Sequence, residues 1–379
     1  MINSRVRVAM LGSKGLPATF GGVEHHVESI GRRLAERGFE VTVFSRLGYG
    51  DSTLTNYLGM HVKQVRALSS KHLEAISASA VSTLSAMRNR FDILHYHAVG
   101  PGSVSPLPRY LSSAKIVQTI HGLDAERSKW GGLASAYLQT ATWLSARVPD
   151  ATVVVSQELQ EHFRKRYGRE TVHIPNGIVD HVQRPANIIA DRYGLSKGRY
   201  VLFVGRLVPE KNPDLLIEAY KTVSTDLPLV IAGGTSHSDD FLDQLRDSAK
   251  QDERVRMIGY VFGDELDELY SNAGIFVLPS ALEGLPLALL EALSMGVPIV
   301  ASDIAPHREV LERDQPGGRL VPVNDVRGLG QKLSAVIDDL EHEAKGAESL
   351  RARVLKEYDW DLATDLLQNL YWRLLAKAD

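Results

Sequence analysis

The chain has 379 residues, of which 44% are hydrophobic and 23% charged, and it contains no cysteine. The lack of cysteine excludes disulfides, thiolate-ligated zinc and a thiol nucleophile, and the length favours two domains over one core. Residues 1–184 carry 22 Lys and Arg against 14 Asp and Glu (+8), and residues 185–379 carry 21 against 32 (−11), which together give the net charge of −3. This asymmetry predicts domains with different tasks, the first facing an anionic partner, unless it is chance variation of surface charge.

The apolar runs are short. The N-terminal run ends at Gly12 and lacks the hydrophobic region of a signal peptide. No later run approaches the roughly 20 apolar residues of a membrane span. We therefore expect a cytoplasmic protein, and we expect no nucleic acid among its partners.

Strand-like and helix-like segments alternate along the chain. One helical pattern is Val23, Val27, Ile30 and Leu34, ended by Gly38. The strand-like runs in the first half are 5–11, 39–45, 60–65, 91–97, 114–122, 151–156 and 171–175, and those in the second half are 199–205, 227–233, 254–261, 274–279 and 297–302. This order predicts the α/β class, with two Rossmann-like domains whose parallel sheets are covered by helices and face a central cleft.

The polar stretch 181–191 is the predicted junction of the two domains. We place an N-terminal domain at 1–183 and a C-terminal domain at 184–361. The amphipathic segment at about 362–379 is expected to pack across one of them.

A glycine-rich loop, GSKGLPATFGGVEHH, lies between the first strand-like run and the first helical pattern. Its glycine spacing matches neither the Walker A loop nor the G-x-G-x-x-G dinucleotide fingerprint. Gly21 and Gly22 precede the helix start, where free N–H groups and the helix dipole favour an anion. The alternative is a glycine-rich cap that binds no ligand.

Two segments of the second half carry charged residues beside strand ends. In GRLVPEKN (205–212), Arg206 and Lys211 follow a strand, and Asn212-Pro213 is typical of a helix start; two such cations suit a diphosphate leaving group. In PSALEGLPLALLEALSMGVP (279–298), Pro286 and Gly296 predict the ends of a helix. Glu283 then lies in the preceding loop and Glu291 inside an apolar helix. A buried carboxylate needs a partner, either ligand hydroxyls or a structural group.

Histidines end two strands of the first half. His95 and His97 share one strand face, so a metal pair is conceivable, but no third ligand has suitable spacing and we expect no metal. His121 ends an otherwise apolar strand at the expected ligand-binding edge, where a structural histidine is the alternative. The adjacent His25 and His26 point in different directions on a helix and are expected at the surface or in the cleft.

These segments together resemble the retaining glycosyltransferases of family four, which have the GT-B fold. The resemblance covers nearly the whole chain and rests on GGVE at 21–24, HG at 121–122, PNG at 175–177, GRLVPEKN at 205–212 and the E-x7-E element from Glu283 to Glu291. The start of the chain is similar to bacterial polysaccharide and rhamnosyl-type transferases.

The resemblance implies that the N-terminal domain binds the acceptor and the C-terminal domain binds the nucleotide sugar. It also implies a role for each matching residue. Gly21 and Gly22 would lie against the donor diphosphate, Gly205 would lie beside it, Arg206 and Lys211 would grip it, and Glu291 would hold the ribose hydroxyls. Glu283 would bind sugar hydroxyls, and the base would lie near Val261. The backbone of Gly284, Leu285, Pro286 and Leu287 would approach the sugar and phosphates, although Pro286 supplies no N–H. The implied catalytic set is His121, Arg206, Lys211 and Glu283, and the acceptor side is assigned to Lys14, His95, His97 and Asp124.

The resemblance also implies the reaction: a sugar moves, with retention, from a nucleotide-diphosphate sugar to an acceptor hydroxyl. A UDP-sugar is favoured, and GDP- and dTDP-sugars are the other candidates. The donor is a co-substrate, and no cofactor or metal is required. The acceptor is a glycan, a lipid-linked sugar or a small molecule in cell-surface polysaccharide or glycoconjugate synthesis.

The basic N-terminal domain suits peripheral contact with the inner face of the membrane. Segment 71–90, a helix with basic ends, could provide that contact or be a plain surface helix. Two other functions remain open: a sugar-nucleotide epimerase on the same fold, and a non-catalytic two-domain sugar-binding protein.

Overall fold

The computed structural model describes residues 5–19, 21–68, 74–123, 132–234 and 239–376, which divide into two units. The first unit comprises the chain up to Gly177 and the chain from Trp360 onward, and the second comprises Ile178–Asp359. The sequence analysis places the corresponding boundaries at 183/184 and 361/362.

In the first unit the described residues form one eight-stranded sheet in the order β3-β4-β2-β1-β5-β6-β7-β8. Neighbouring strands are parallel except β3 and β4. The strands are β1 (Arg7–Leu11), β2 (Glu40–Arg46), β3 (Asn56–Tyr57), β4 (Met60–Val65), β5 (Ile93–His97), β6 (Lys115–Ile120), β7 (Ala151–Val154) and β8 (Val172–His173). The helices are α1 (Gly22–Glu36), α2 (Glu74–Arg88), α3 (Val99–Gly102), α4 (Pro106–Leu111), α5 (Gly132–Arg147), α6 (Gln157–Tyr167) and the C-terminal α15 (Trp360–Ala376).

The second unit has a six-stranded parallel sheet in the order β11-β10-β9-β12-β13-β14. Its strands are β9 (Val201–Val204), β10 (Leu229–Ala232), β11 (Val255–Gly259), β12 (Ile275–Leu278), β13 (Ile299–Ser302) and β14 (Gly318–Val321). Its helices are α7 (Ile188–Tyr193), α8 (Pro213–Tyr220), α9 (Asp239–Ala249), α10 (Asp264–Asn272), α11 (Leu287–Ser294), α12 (Ala305–Leu311), α13 (Val326–Asp338) and α14 (Leu340–Glu357).

The strand sequences explain these parallel sheets. Strands covered by helices on both faces are continuously apolar, and all four side chains of β12 (IFVL) are fully buried. Each sequence-predicted strand segment contains an observed strand, and the structure adds only the short β3 and β14 to them within the described residues.

The C-terminal helix α15 packs against α1 of the first unit. The guanidinium of Arg37 pairs with Asp365 at 2.7 Å and with Asp361 at 3.3 Å. The ring of Phe39 lies 5.4 Å from that of Trp372. An apolar contact flanked by ion pairs therefore joins the last helix to the N-terminal unit, although α15 and α1 lie far apart in the sequence.

Both sheets contain a point where the strand order reverses direction. In the first unit β1 lies between β2 and β5, and in the second β9 lies between β10 and β12. At such a point the loops after the two neighbouring strands run in opposite directions and leave a crevice between them. Open α/β sheets bind their ligands in this crevice. The glycine-rich loop follows β1, Arg206 and Lys211 follow β9, and Glu283 follows β12.

Candidate active site

The glycine-rich loop is held by carboxylates of the helix that follows it. The backbone N–H of Lys14 donates to Glu24 Oε1 at 2.8 Å, and that of Ala18 donates to Glu28 Oε2 at 2.7 Å. Gly21 precedes α1 with a φ of 104°, and an added Cβ would collide with the Glu24 carboxylate. The turn thus has a conformation that requires glycine, with half-buried Gly21 and exposed Gly22 at the helix start, and its binding of phosphate stays a prediction.

Four histidines of the first unit form one cluster. The rings of His95 and His97 lie 4.3 Å apart, His97 Nδ1 is 3.3 Å from His121 Nε2, and the ring centroids of His26 and His121 are 4.6 Å apart. His26, predicted to lie at the surface or in the cleft, is instead buried, whereas His25 is exposed. Helix geometry separates these neighbours by about 100°, so one of them must face the sheet.

The cluster corrects the acceptor role predicted for His95 and His97. Both side chains are fully buried. The nitrogens of His95 contact the hydroxyl groups of Tyr371, at 2.6 Å, and Thr119, at 2.7 Å. Both rings therefore support the interior next to His121, and neither can reach an acceptor. Asp124, the remaining predicted acceptor residue beside Lys14, lies outside the described residues.

His26 is fixed by a residue of the PNG segment. Its Nδ1–H donates to Asn176 Oδ1 at 2.8 Å, while its Nε2 has no hydrogen-bond partner among the described residues. Burial lowers the pKa of His26 to about 4 and that of His95 to about 3. Burial, together with the neighbouring histidines, also lowers the pKa of His97 and His121 well below the ordinary value. At neutral pH the cluster is therefore uncharged.

Three members of the cluster meet a geometric requirement for metal binding. His26, His97 and His121 each offer one ring nitrogen, and these three nitrogens lie within 4.8 Å of one another. The expectation that no third ligand accompanies a strand histidine is thus wrong, because His26 approaches from α1. This observation concerns only the positions of the ring nitrogens, so a metal-independent reaction stays a prediction.

The loops after β9 and β12 bring Lys211 and Glu283 together. Lys211 ends a short 3-10 turn (Pro209–Lys211), and its Nζ forms an ion pair with Glu283 Oε1 in which both side chains are largely buried. Burial, the largest single influence, would raise the pKa of Glu283, but the charges of Lys211 and His307 together with hydrogen bonding outweigh it and the pKa is lowered. Glu283 is therefore an ionised acceptor of hydrogen bonds at neutral pH.

Asn212 and Pro213 stand at the start of α8, as predicted. The side chain of Asn212 does not cap the helix, however. Its φ of 51° directs Nδ2 to the carbonyl oxygen of Pro279, at 3.0 Å. Asn212 thereby links the β9 loop to the β12 loop and helps to hold Lys211 beside Glu283.

The segment from Glu283 to Glu291 has the predicted local structure. Glu283 lies in the loop, α11 begins at Leu287 after Pro286, and Glu291 lies within the helix. The Tyr270 hydroxyl lies beside the Glu291 carboxylate, and burial together with this negative charge raises the pKa of Tyr270 far above its usual range. Tyr270 is thus a buried neighbour of Glu291, but its hydroxyl makes no hydrogen bond within the described residues.

The other predicted donor-site residues lie in the same unit. Gly205 and Arg206 directly follow β9, Gly284 and Leu285 are buried in the β12 loop, and Val261 is buried after β11. Tyr260 and Phe262 flank Val261 as exposed rings stacked 5.9 Å apart.

Sequence reasoning missed four residues that contact the predicted ones: His26, Asn176, Tyr270 and His307. His26 and Asn176 lie in segments that carry the family resemblance, so the GGVE and PNG patterns contained a signal that was not used. Tyr270 and His307 follow no pattern in the sequence. Only the packing of α10 and α12 places them near Glu291 and Glu283.

Two family models match the two halves of the chain. The model described as Glycosyltransferase Family 4 matches residues 20–181, and that described as Glycosyl transferases group 1 matches residues 188–353.

Three curated relatives align with much of the chain. A Mycobacterium tuberculosis glycogen synthase is 27% identical over 97% of this chain and 94% of its own length. The phosphatidyl-myo-inositol mannosyltransferase of Mycobacterium leprae is 28% identical over 93% and 92%, respectively. An Escherichia coli UDP-Gal:alpha-D-GlcNAc-diphosphoundecaprenol alpha-1,3-galactosyltransferase is 26% identical over 75% and 76%.

Solved structures share the fold at lower identity. Sucrose-phosphate synthase from Thermosynechococcus elongatus is similar with a TM-score of 0.85 and 20% identity, covering 98% of this chain and all of that one. Anabaena HepE in complex with UDP-glucose has a TM-score of 0.81 and 19% identity, covering 97% and 99%. The fold is therefore GT-B, and with both family models matched the chain belongs to the family-four glycosyltransferases and is a hexosyltransferase.

Proposed function

We propose that this glycosyltransferase transfers a hexose, with retention, from a UDP-sugar to a hydroxyl group of a lipid-linked glycan in cell-surface polysaccharide synthesis. The observation that carries the proposal is the Lys211–Glu283 pair at the point where the second sheet reverses its strand order. A cation for the diphosphate and a carboxylate for sugar hydroxyls lie there side by side. The names of the HepE complex and of the E. coli relative support a UDP-sugar donor.

Charge development explains the proposed roles. As the bond to the anomeric carbon breaks, negative charge builds on the departing diphosphate, and Arg206 and Lys211 stabilise it. Gly21 and Gly22 add backbone N–H groups at the start of α1, and Glu291 holds the ribose. The acceptor hydroxyl attacks from the leaving-group face and gives its proton to a donor phosphate oxygen. Glu283 positions the sugar and forms no covalent intermediate, and no metal ion is needed.

His121 is the proposed contact of the transferred sugar in the first unit. It directly follows β6 and is the only partly exposed ring among the four described histidines of the cluster. Because its pKa is lowered by burial, the neutral ring can donate or accept a hydrogen bond with a sugar hydroxyl without adding charge near the oxocarbenium-like carbon.

A lipid-linked acceptor suits the surface of the first unit. Helix α2, within the segment proposed for membrane contact, exposes Val81 and Leu84, and α4 exposes Tyr110 and Leu111 next to Arg109. Apolar side chains beside a cation favour the interface of an anionic membrane, so we propose peripheral binding at its inner face. Within the described ranges, no helix combines the length and hydrophobicity needed to cross a bilayer.

The function is tested with the purified chain and a panel of sugar nucleotides. Thermal shifts with UDP, GDP and dTDP identify the base. Incubation of the matching donors with polyprenyl-diphosphate-linked sugars then identifies the acceptor, and NMR of the product gives the anomeric configuration. We expect UDP to give the largest shift and the new linkage to keep the donor's configuration. An inverted product would contradict retention. Conversion of the donor to another sugar nucleotide without acceptor would favour the epimerase instead, a function that the similar proteins described above do not support.

Membrane binding is tested by sedimentation with vesicles. We expect the chain to sediment with phosphatidylglycerol vesicles at low salt and to stay in the supernatant with phosphatidylcholine alone. The double variant Val81→Ser/Leu84→Ser should bind less, with transfer to a water-soluble acceptor unchanged. Equal binding to both vesicle types would contradict the electrostatic part of the proposal.

A further inference from the structure

Three histidines from separate elements of the first unit meet at one end of its sheet. His97 is the last residue of β5, His121 directly follows the neighbouring parallel strand β6, and His26 lies near the start of α1. The side chain of His97 is fully buried and that of His26 is 2% exposed. One nitrogen of each ring lies within 4.8 Å of the other two. Because each ring belongs to a different element, the fold itself holds the three nitrogens together.

The hydrogen bonds of two of these rings leave a bare nitrogen in the protein interior. His26 Nδ1–H donates to Asn176 Oδ1 at 2.8 Å, so the lone pair of the neutral ring is on Nε2, which has no hydrogen-bond partner among the described residues. His97 Nε2 lies 3.4 Å from Met10 Sδ. A thioether sulfur has no proton to donate, so Nε2 carries the proton and Nδ1 of His97 is bare. A buried nitrogen without a partner, such as His26 Nε2, is costly unless a further group binds to it.

The spacing of the nitrogens fits a tetrahedral metal ion. His97 Nδ1 and His121 Nε2 are 3.3 Å apart. A tetrahedral zinc ion with bonds of about 2.0–2.1 Å holds two ligand nitrogens about 3.3 Å apart. His26 would then have to approach by about 1.5 Å or less, the difference between 4.8 and 3.3 Å. A hydrogen bond between His97 and His121 gives the same spacing, but it leaves His26 Nε2 unsatisfied, whereas a metal ion binds all three nitrogens.

The chemistry of the ligands selects the metal. Three imidazoles suit zinc and similar transition metals, whereas magnesium and calcium bind through oxygen ligands. The ring of His121 is partly exposed, so water can reach an ion at this position. Three histidine ligands and one position open to water form a known type of zinc site. The hydrogen bond from His26 to Asn176 supplies the support that orients a metal-binding imidazole.

We propose that His26 Nε2, His97 Nδ1 and His121 Nε2 bind a zinc ion, with water in the fourth position, and that bound zinc inhibits sugar transfer. When zinc binds, the proton on His121 moves from Nε2 to Nδ1, so all three rings stay neutral. The zinc site is independent of the proposed function. The inhibition rests on it, because His121 is the proposed contact of the sugar. Zinc would occupy one of its two nitrogens and place a double positive charge near the oxocarbenium-like carbon.

Equilibrium dialysis tests the binding of zinc. The chain is prepared without a histidine tag, freed of metal with a chelator and dialysed against zinc chloride in excess magnesium at pH 7.5. We expect about one tightly bound zinc ion per chain, since the described residues contain one such group of three ligands. His26→Asn should weaken binding by about 100-fold or more, and the exposed control His25→Asn should bind as the wild type does. Equal affinity in His26→Asn and the wild type would overturn the proposal.

Two further measurements do not require that His26→Asn folds. Asn176→Ala removes the acceptor that holds His26 Nδ1–H and should weaken zinc binding by about 10- to 100-fold. In the wild type, cobalt should bind in place of zinc and give the intense visible absorption of a four-coordinate ion, which zinc then abolishes. The weak absorption of six-coordinate cobalt, or an unchanged zinc affinity in Asn176→Ala, would overturn the proposed ligand set.

Transfer assays test the inhibition. Free zinc at ten times its Kd should lower donor turnover by about tenfold relative to turnover in excess EDTA, both in the wild type and in His25→Asn. Turnover by His26→Asn should not respond to the same zinc concentration. Zinc that binds to the wild type but leaves its turnover unchanged would overturn the inhibition, and with it the sugar contact of His121. If no sugar nucleotide is turned over, the proposed function fails, whereas dialysis and the cobalt spectrum still decide whether the zinc site exists.

Discussion

Lys211 and Glu283 form an ion pair across the loops that follow two neighbouring strands of the C-terminal sheet. The pair explains how two charged side chains are tolerated in a largely buried position before any ligand binds, since each satisfies the other. It also means that the cation proposed to bind the diphosphate and the carboxylate proposed to bind the sugar are coupled. A substitution of either residue must therefore be interpreted through its effect on the other.

Replacing Glu283 by glutamine should separate sugar positioning from nucleotide binding. Glu283→Gln keeps the size of the side chain but removes the charge that Lys211 pairs with. We expect kcat to fall by about 10²-fold and the Kd of UDP to change less than about threefold, because UDP carries no sugar. Lys211→Met should lower kcat and also weaken UDP binding, that is, raise its Kd. The matched control Glu218→Gln alters an exposed ion pair, with Lys221, and should leave both constants unchanged. Wild-type turnover in Glu283→Gln would contradict the assignment.

The ribose role of Glu291 is testable with deoxynucleotides. If its carboxylate accepts hydrogen bonds from ribose hydroxyls, Glu291→Gln should weaken UDP binding by about 10- to 100-fold. The wild type should lose a similar factor in affinity when UDP is replaced by its 2′- or 3′-deoxy form. Glu291→Gln should bind the deoxy forms almost as well as it binds UDP. Calorimetric Kd values for the four combinations give the coupling directly. Independent, additive losses would show that Glu291 does not contact the ribose.

The glycine at the start of α1 should be irreplaceable for a geometric reason. Gly21→Ala combines an unfavourable positive φ with a collision against the Glu24 carboxylate, which holds the loop through Lys14 N. We expect kcat/KM for the donor to fall by about tenfold or more, with thermal stability lowered by about 1 kcal/mol or more. Gly38→Ala has the same strain, with φ 91° and open space around the new methyl group, and should cost stability but leave kcat/KM unchanged. Equal kinetics for the two variants would remove Gly21 from the site.

Local sequence patterns predicted the elements because each pattern has a local cause. The continuous apolar run of β12 needs cover on both faces, the period of Val27, Ile30 and Leu34 gives one buried stripe on α1, and Pro286 marks the start of α11. These features depend on neighbours within a few residues, which the sequence displays directly.

Side-chain partners that come from distant segments were not predictable in the same way. His26 is expected at the surface or in the cleft because His25 and His26 point in different directions on their helix, and only the register of α1 on the sheet shows which of them is buried. His307 approaches Glu283 through the packing of α12, and Tyr371 reaches His95 from the C-terminal helix 276 residues later. Such contacts depend on tertiary packing, which one sequence does not encode in any short pattern.

Chelation tests the expectation that transfer needs no metal. We expect donor turnover in excess EDTA to match that in magnesium, because Arg206 and Lys211 supply the positive charge. Loss of activity that magnesium restores would contradict this expectation. If zinc but not magnesium restores the lost activity, the zinc site is His26, His97 and His121. In that case His26→Asn should no longer respond to zinc, whereas the control His25→Asn, at an exposed neighbouring position, should respond as the wild type does.

The buried histidine cluster should make the first unit sensitive to acid. The pKa is lowered to about 4 for His26 and about 3 for His95, and burial also lowers the pKa of His97 and His121 well below the ordinary value. Unfolding returns each pKa to about 6.5, so the unfolded state binds more protons below that pH and stability is lost as the pH falls from about 6.5 toward 4. Each histidine contributes a slope of about 1.4 kcal/mol per pH unit in this window.

Tryptophan fluorescence reports on this effect, since the chain has four tryptophans and the three that the structure describes, Trp143, Trp360 and Trp372, belong to the first unit. Urea unfolding followed at pH 7.0, 6.0 and 5.0 should give a free energy of unfolding that decreases steeply as the pH is lowered. His26→Asn removes one titrating group and should lower the slope by about one proton relative to the matched control His25→Asn, which replaces an exposed ring. Identical slopes for the two variants would mean that His26 titrates normally in the folded protein and that the cluster is not held neutral by burial.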